Sequence, residues 1–404
     1  MKYDFTSILE RAGKDAIAID GIGKWPGFAP ETPEKGFDVI PMWVADMNFP
    51  TVPTIASAIS ERLKHPHFGY FFPREEYFNA IIDWHKKRNG INDLTKDCIG
   101  YENGVLGGVI SALNVFCSKG DKILVHSPTY IGFKMILENN GYKIITSDLK
   151  KDEKGIYRMD YEDMEKKIKE NKIHATIFCS PHNPCGRVWE KEELLKAMEI
   201  FEKYEVYIAC DEIWSDLILY DNKHIPFQSV NDYAKNHTVA LYAPSKTFNL
   251  SGLIGSYHII YNKFLRDRVE KESSLCHYND MNMLSMYALI GAYTKEGNEW
   301  VDELKKVLTE NVEYVLNYIR DHFKGVEFSQ PQGTYMLFLD CTKWCKEHNK
   351  SIDEVEKAAW KVGVALQDGK MFNGPCHLRL NLALPLSRIK EAFDRLDKYV
   401  FNAK

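Results

Sequence analysis

The feature that most constrains this chain is the alternation of short apolar segments with helix-period segments between residues 100 and 265. The apolar segments are rich in β-branched or aromatic residues and comprise Lys122–Ser127, Lys143–Leu149, Ala175–Ser180, Val206–Ile213, Thr238–Ser245 and Ser256–Tyr261. The clearest helical segment between them is Glu190–Tyr204, with Leu194, Met198 and Phe201 at spacings of three and four. Apolar strands separated by helices predict an α/β fold with a mostly parallel sheet covered on both faces.

The pattern changes after about residue 285. A long helical region, Leu284–Phe323, leads into two separate strand candidates, Met336–Cys341 and His377–Leu384. The chain ends in an amphipathic helix over Ser387–Phe401. This change in pattern predicts a second, smaller α+β domain.

We therefore divide the chain into three parts. The first fifty residues hold only short pieces interrupted by proline and glycine, so we expect an N-terminal arm packed against the small domain. Residues 51–290 form the predicted large domain, and residues 291–404 form the small one.

Composition argues against several kinds of partner. The formal net charge is −5 and no run of Lys and Arg is dense, so we expect no nucleic-acid partner. No stretch reaches the roughly 18–20 apolar residues of a membrane-spanning helix. The N-terminal residues mix acids and bases, unlike a signal peptide. We expect a cytoplasmic protein that does not bind membranes.

The cysteines point the same way. The nine of them form no CxxC pair and no metal-ligand spacing. Cys179 and Cys210 lie inside apolar runs, where a free thiol packs as a small core residue. We expect a reduced protein with neither a disulfide framework nor a metal site.

Three polar segments each follow a strand of the alternating region. They are Ser180–Trp189 (SPHNPCGRVW), Cys210–Leu217 (CDEIWSDL) and Ala243–Leu253 (APSKTFNLSGL). Parallel α/β sheets bind ligands at the edge where their strands end. Each segment alone is weak, because Asn-Pro-x-Gly is a turn signal and a charge after a strand is usually a cap or a surface residue.

Together, in this order and spacing, the segments resemble those of the fold-type I pyridoxal-phosphate (PLP) enzymes of the aminotransferase superfamily. The similarity covers nearly the whole chain and is strongest to the cystathionine β-lyase-like branch of carbon–sulfur lyases. The segments PMWVADMNFP, FGY, SPHNPCGRVW, DEIWSDL and APSKTFNLSGL all resemble that branch. The resemblance implies the PLP-dependent transferase fold, with a mostly parallel seven-stranded sheet in the large domain.

The resemblance also implies the cofactor, pyridoxal 5′-phosphate, and the residues around its ring. Lys246 matches the lysine that binds the cofactor covalently, and its freed amine then moves the substrate Cα proton. That role requires a lowered pKa at Lys246. Asp211 matches the carboxylate paired with the pyridine nitrogen, and Asn183 the side chain that donates to the phenolic oxygen. Tyr130 matches the aromatic stacked on the ring, with core packing as the alternative.

The phosphate is expected to lie at a helix start. The segment NGVLGGV opens a helix, and free N–H groups there bind anions, so Val105 and Leu106 are the candidates. Ser245 adds a hydroxyl. Tyr70 matches a tyrosine that reaches the phosphate from the neighbouring subunit in relatives, which implies a homodimer with active sites at its interface.

The substrate, an amino acid, is expected to bind through its α-carboxylate. Arg379, in HLRLNLALP, matches the arginine that binds this group, and Asn183 is expected to contact the substrate as well. A surface ion pair is the alternative for Arg379, but an arginine inside an apolar strand is costly without a partner. The substrate side chain is expected to meet loops and the partner subunit, including the N-terminal arm and the stretch Leu275–Leu284.

Three positions depart from the pattern of ordinary aminotransferases. Trp214 replaces a tyrosine that bonds the phenolic oxygen, and we place it in the cofactor site as a donor only. Ile254 replaces an arginine that holds the phosphate, and Ala243 replaces a serine or threonine. Carbon–sulfur lyases of this branch commonly lack both the tyrosine and the arginine.

These observations predict a PLP-dependent carbon–sulfur β-lyase that eliminates the β-substituent of a sulfur amino acid, leaving pyruvate and ammonia. Two alternatives remain. One is an aminotransferase, which the retained Asn183, Asp211, Lys246 and Arg379 permit. The other is a regulatory binding protein that keeps the PLP site as a ligand sensor.

Overall fold

The computed structural model describes residues 1–275 and 279–403. Within them the strands are β1 Ile40–Pro41, β2 Ile99–Asn103, β3 Lys122–Ser127, β4 Lys143–Asp148, β5 Lys150–Lys151, β6 Tyr157–Arg158, β7 Ala175–Cys179, β8 Tyr207–Asp211, β9 Thr238–Tyr242, β10 Gly255–Ile259, β11 Glu327–Phe328, β12 Met336–Asp340, β13 Val364–Ala365, β14 Gln367–Asp368 and β15 His377–Asn381. The α-helices are α1 Ile17–Asp20, α2 Pro53–Leu63, α3 Glu75–Asn89, α4 Val105–Phe116, α5 Ile131–Asn139, α6 Tyr161–Asn171, α7 Lys191–Lys203, α8 Asp232–His237, α9 Pro244–Thr247, α10 Lys263–Leu275, α11 Met283–Ala292, α12 Lys295–His322, α13 Thr342–His348, α14 Ile352–Lys361 and α15 Leu386–Leu396.

The central sheet has seven strands in the order β2-β10-β9-β8-β7-β3-β4. Only β10 runs antiparallel to its neighbours, β2 and β9, and the other pairs are parallel. Every residue of β7 and β9 is buried, as continuous apolar strands require when helices cover both faces. The carboxyl ends of β7, β8 and β9 therefore meet at one edge of the sheet, together with the first residues of β10.

A second, antiparallel sheet has the order β11-β12-β15-β14. The N-terminal arm joins this part of the molecule, because β1 pairs in parallel with β13. Asp38 also forms ion pairs with Arg388 and Arg395 of α15. The arm thus contacts the C-terminal region, while the domain boundaries at residues 50 and 290 stay a prediction.

Several predicted elements end earlier than their apolar pattern. The long helix is two helices, α11 and α12, because Thr294 caps α12 by accepting from the N–H of Gly297. The strand predicted to reach Ser245 ends at Tyr242, since Pro244 begins α9. The C-terminal helix ends at Leu396 and continues as a π-helical turn over Asp397–Phe401.

None of the helices in the described ranges is long and apolar enough to cross a bilayer. Residues 276–278, which belong to the stretch expected to border the substrate, lie outside the described ranges.

The packing of the sheet is tested at Phe178, in the middle of β7. Its ring is fully buried, and its centre lies 4.7 Å from that of Phe227 and 6.0 Å from that of Trp189. We expect Phe178→Ala to lower the free energy of unfolding by about 3–5 kcal/mol. The surrounding side chains can fill only part of the cavity that the missing ring leaves. Urea unfolding followed by circular dichroism measures this. The control is Phe264→Ala, since Phe264 is 67% exposed and its loss should have little effect.

Candidate active site

A cavity of about 280 Å³ lies at the carboxyl edge of the central sheet. The sheet topology explains its walls, because the residues that follow β7, β8 and β9 meet there with the start of β10. The lining residues are Ala45, Asn103, Gly104, Val105, Leu106, Gly107, Tyr130, Cys179, Asn183, Asp211, Ile213, Trp214, Ala243, Ser245, Lys246, Ser251, Ile254, Gly255 and Ser256. Eight of the ten predicted site residues are among them, and the exceptions are Arg379 and Tyr70.

Lys246 lies on α9, immediately after β9, and its side chain faces the cavity. Its Nζ donates to the carbonyl oxygen of Ala45 at 3.0 Å and lies 5.8 Å from the centre of the Trp214 ring. Burial lowers the pKa of Lys246 to about 8, and the positive charge of Arg379 acts in the same direction. The lowered pKa makes the neutral amine, the form that accepts a proton, far more abundant near physiological pH than it is for an ordinary lysine.

Asp211 is the last residue of β8 and is buried. Its Oδ1 accepts the backbone N–H of Ile213 at 3.0 Å. Burial raises the pKa of Asp211 to about 6, although Lys246 opposes this shift. Such a carboxylate stabilises a cationic partner in the cavity, because the pair would offset the cost of burying each charge.

Asn183 and Tyr130 border the same space. The Oδ1 of Asn183 is buried and has no hydrogen-bond partner in the structure. Tyr130 stands at the N-cap of α5, and burial raises the pKa of its phenol, so it stays neutral. A Cβ atom at Gly132 would lie 2.4 Å from Cε1 of Tyr130, so this glycine is needed for the ring to occupy its place.

The predicted phosphate site is a helix start. Gly104 has a φ of +80°, which glycine adopts without strain, and Val105 begins α4. The first N–H groups of a helix have no intrahelical partner, so those of Val105 and Leu106 are donors at the cavity wall. Ser245 and Ile254 also line the cavity, and Ile254 has a φ of +61° and is 57% exposed.

Arg379 lies on β15 and is buried. Its Nη2 donates to the carbonyl oxygen of Trp43 at 2.9 Å and to Oε1 of Gln367 at 2.8 Å. Its Nε and Nη1 are buried without a partner in the structure. The charge of Arg379 influences the pKa of both Lys246 and Tyr130, so the guanidinium lies close to the cavity.

Tyr70 does not line the cavity of its own chain. It is fully exposed, next to the exposed rings of Phe68 and Phe72. The expected contact of Tyr70 with the phosphate of a neighbouring subunit therefore stays a prediction.

The sequence reasoning did not single out Ala45, Gln367 or Tyr335. Ala45 and Tyr335 meet at a backbone carbonyl, and Gln367 reaches Arg379 because the two residues pair across strands β14 and β15. A carbonyl acceptor has no sequence signal, since every residue carries one. The segment PMWVADMNFP, which contributed to the resemblance, was the one available clue to Ala45.

Comparison with known proteins agrees with this geometry. Residues 38–396 match the family described as aminotransferase class I and II. The chain belongs to this family. It is 32% identical to a protein of Bacillus subtilis named cystathionine beta-lyase PatB, over 97% of this chain and 98% of the relative.

Solved structures of the family have the same fold. A PLP-bound carbon–sulfur lyase from Staphylococcus hominis superimposes with a TM-score of 0.87 at 31% identity, covering 98% of both chains. Cystalysin from Treponema denticola, which contains pyridoxal 5′-phosphate, gives a TM-score of 0.89 at 30% identity, with 98% of each chain covered. The resemblance and the fold class stated from the sequence are therefore confirmed, whereas the roles of the individual site residues stay predictions.

The lowered pKa of Lys246 is directly testable. In the cofactor-free protein, we expect modification of Lys246 by an amine-reactive reagent to rise with pH around a midpoint near 8, because burial disfavours the charged amine. Mass spectrometry of the Lys246 peptide across a pH series measures it. Lys150 is the comparison, since Asp160 raises the pKa of that lysine. A midpoint near the ordinary lysine value of 10.5 would contradict the assignment.

Proposed function

We propose that this protein is a PLP-dependent carbon–sulfur β-lyase, which cleaves a sulfur amino acid to pyruvate, ammonia and a thiol. The observation that carries the proposal is the cavity that brings the Lys246 amine, with its pKa near 8, together with Asp211 and Asn183. The full-length similarity to a protein named cystathionine beta-lyase supports the choice of reaction.

The cavity residues fit pyridoxal phosphate. Lys246 offers an amine able to bond covalently to an aldehyde. Asp211 has no cationic side chain hydrogen-bonded to it within the described ranges, so it is available for a protonated ring nitrogen. The carboxamide of Asn183 lines the same cavity, and the start of α4 suits a phosphate.

When bound, the cofactor supplies an electron sink for a negative charge at the substrate Cα. The chain's own residues do the rest. Arg379 binds the substrate α-carboxylate through donors such as Nε and Nη1, which have no partner among the residues that the structure describes. This contact orients the Cα–H bond, and the neutral amine of Lys246 accepts the proton.

Removal of the Cα proton leads to cleavage of the bond between Cβ and sulfur. The electron pair of that bond leaves with the sulfur, which takes up a proton to become a thiol. The three-carbon enamine that remains takes up water and gives pyruvate and ammonia. The buried Trp214 and the partly buried Tyr130 line the cavity and limit the access of water before this stage.

The departures from the aminotransferase pattern support elimination. Trp214 is buried and its ring lies edge-on to Tyr335 with centres 4.8 Å apart, so a donor-only indole stands where ordinary aminotransferases carry a tyrosine hydroxyl. Ile254 leaves the phosphate without an arginine on that side. Both features match the branch of carbon–sulfur lyases that the sequence resembles.

An aminotransferase is the second candidate, because the residues that hold an amino acid and the cofactor are the same in both reactions. The family itself is named for that activity. An aminotransferase without a keto-acid acceptor stops after one half-reaction, whereas a lyase continues.

Product analysis separates the two candidates. With L-cystathionine, PLP and no keto acid, we expect pyruvate, ammonia and thiol in equal amounts over many turnovers, because elimination regenerates the enzyme. Enzymatic assays for pyruvate and ammonia and a thiol reagent measure them. The matched control is Lys246→Ala, which should lose nearly all turnover since it has no amine to move the proton. At most one equivalent of keto acid per active site would instead make the protein an aminotransferase.

The position of Ile254 allows a test of the phosphate site. We expect Ile254→Arg to tighten PLP binding about tenfold, because a charge-assisted hydrogen bond to phosphate is worth roughly 1.5–3 kcal/mol. Equilibrium dialysis or absorbance titration gives the Kd. Pyridoxal, which lacks the phosphate, should bind this variant and the wild type equally. Ile254→Gln is the uncharged control, and equal tightening of both cofactors would place the phosphate elsewhere.

We further propose that the protein is a homodimer in which Tyr70 completes the partner's site. The support is the exposure of Tyr70 beside Leu63, Phe68 and Phe72, an apolar surface that a monomer rarely leaves in water. A cytoplasmic location is proposed because all eight cysteines in the described ranges are free thiols.

A further inference from the structure

A single carbonyl oxygen, that of Ala45, accepts hydrogen bonds from two side chains on different parts of the chain. The Nζ of Lys246 donates to it at 3.0 Å and the hydroxyl of Tyr335 at 2.9 Å. Lys246 follows a strand of the central sheet, whereas Tyr335 stands immediately before β12 of the second sheet. Tyr335 is not among the residues that line the cavity.

The Ala45 carbonyl is fixed in place by its neighbours. The carbonyl of Trp43 accepts from Arg379, and those of Val44 and Asp46 accept from the side chain of Asn381. The N–H and carbonyl of the next residue, Met47, both bond the side chain of Asn249. The turn therefore cannot shift to follow a moving amine.

Tyr335 is fixed as well. The preceding residue, Thr334, has a φ of +67°, a region that β-branched residues rarely adopt and that is found where surrounding contacts impose it. The N–H of Thr334 donates to the carbonyl of Leu217, and the carbonyl of Tyr335 accepts from Leu382. The ring packs edge-on against Trp214. These contacts aim the hydroxyl at the Ala45 oxygen.

The hydroxyl of Tyr335 acts only as a donor to this carbonyl. Burial raises the pKa of Tyr335 well above its ordinary value, so the phenol stays protonated near physiological pH. A neutral, buried donor of fixed position suits a group that orients its neighbour and exchanges no proton itself.

We propose that Tyr335 is a positioning residue for the reaction, acting through the Ala45 carbonyl on the amine of Lys246. The carbonyl holds the amine whenever it is not bonded to the cofactor. Tyr335 shares the oxygen and so prevents it from binding an ammonium group too tightly. The amine is thereby kept in place and kept neutral for the Cα proton. This inference rests on the proposed function of Lys246 as the group that moves that proton.

The test compares Tyr335→Phe with the wild type in the PLP-loaded enzyme. The substitution removes one hydroxyl and keeps the ring against Trp214. With L-cystathionine and its Cα-deuterated form, we expect kcat to fall about tenfold to a hundredfold, with KM changed less than about threefold. We also expect the deuterium isotope effect on kcat to rise, because proton removal becomes the slower step. The control is Tyr142→Phe, which removes a hydroxyl bonded to Asn114, outside the cavity lining.

A second readout needs no turnover. In the full-length cofactor-free protein, Tyr335→Phe frees the Ala45 oxygen for the ammonium form, so the pKa of Lys246 should rise from about 8 by about half a unit or more. The other groups that set this pKa, Arg379, Asp46 and Asp211, are unchanged. The pH series for modification of Lys246 measures the shift.

An isotope effect and a Lys246 midpoint that both match the wild type would overturn the proposal, even if kcat fell, because a merely structural role would lower activity without moving either. Failure of the proposed function is distinguishable. If both enzymes give only one equivalent of keto acid, the isotope effect on that single turnover still tests Tyr335, since it also begins with removal of the Cα proton.

Discussion

Burial of the Lys246 amine is the constraint on which the rest of the site depends. A charged amine that is removed from water in part loses hydration, and no carboxylate among the described residues is hydrogen-bonded to it. Burial therefore lowers the pKa of Lys246 to about 8, and the nearby positive charge of Arg379 also favours the neutral amine. The same burial raises the pKa of Asp211 to about 6. One cavity thus holds a lysine with a lowered pKa and a carboxyl group with a raised pKa, and burial is the largest cause of both shifts.

The segment Trp43–Met47 joins the parts that make this space. Its carbonyls accept from Lys246 on α9, from Tyr335 next to β12, and from Arg379 and Asn381 on β15. A turn with so many long-range partners leaves little backbone unsatisfied, although it has no regular secondary structure. The arm that carries it is held in turn by the pairing of β1 with β13. The N-terminal region is therefore part of the site's framework and not a loose extension.

The sheet topology decides which residues meet. Asp211 ends β8, while Lys246 and Asn183 lie four residues beyond the ends of the neighbouring parallel strands β9 and β7, so the edge of the sheet brings the three residues together. Because β10 runs antiparallel, it begins at that same edge and adds Ser256 to the wall. Arg379 comes from the second sheet, and its place beside the cavity depends on how the two sheets pack.

The sequence by itself determined the alternating α/β fold and eight of the residues that line the cavity. Apolar runs fix strands locally, and a motif at a strand end fixes a side chain relative to that strand, as for Asp211 and Lys246. The tertiary structure alone decided what touches them. The contact of Ala45 with Tyr335 joins residues 290 positions apart. Such contacts arise from the packing of two sheets and the N-terminal arm. Every residue has a backbone carbonyl, so the residue type does not reveal which carbonyl accepts a hydrogen bond.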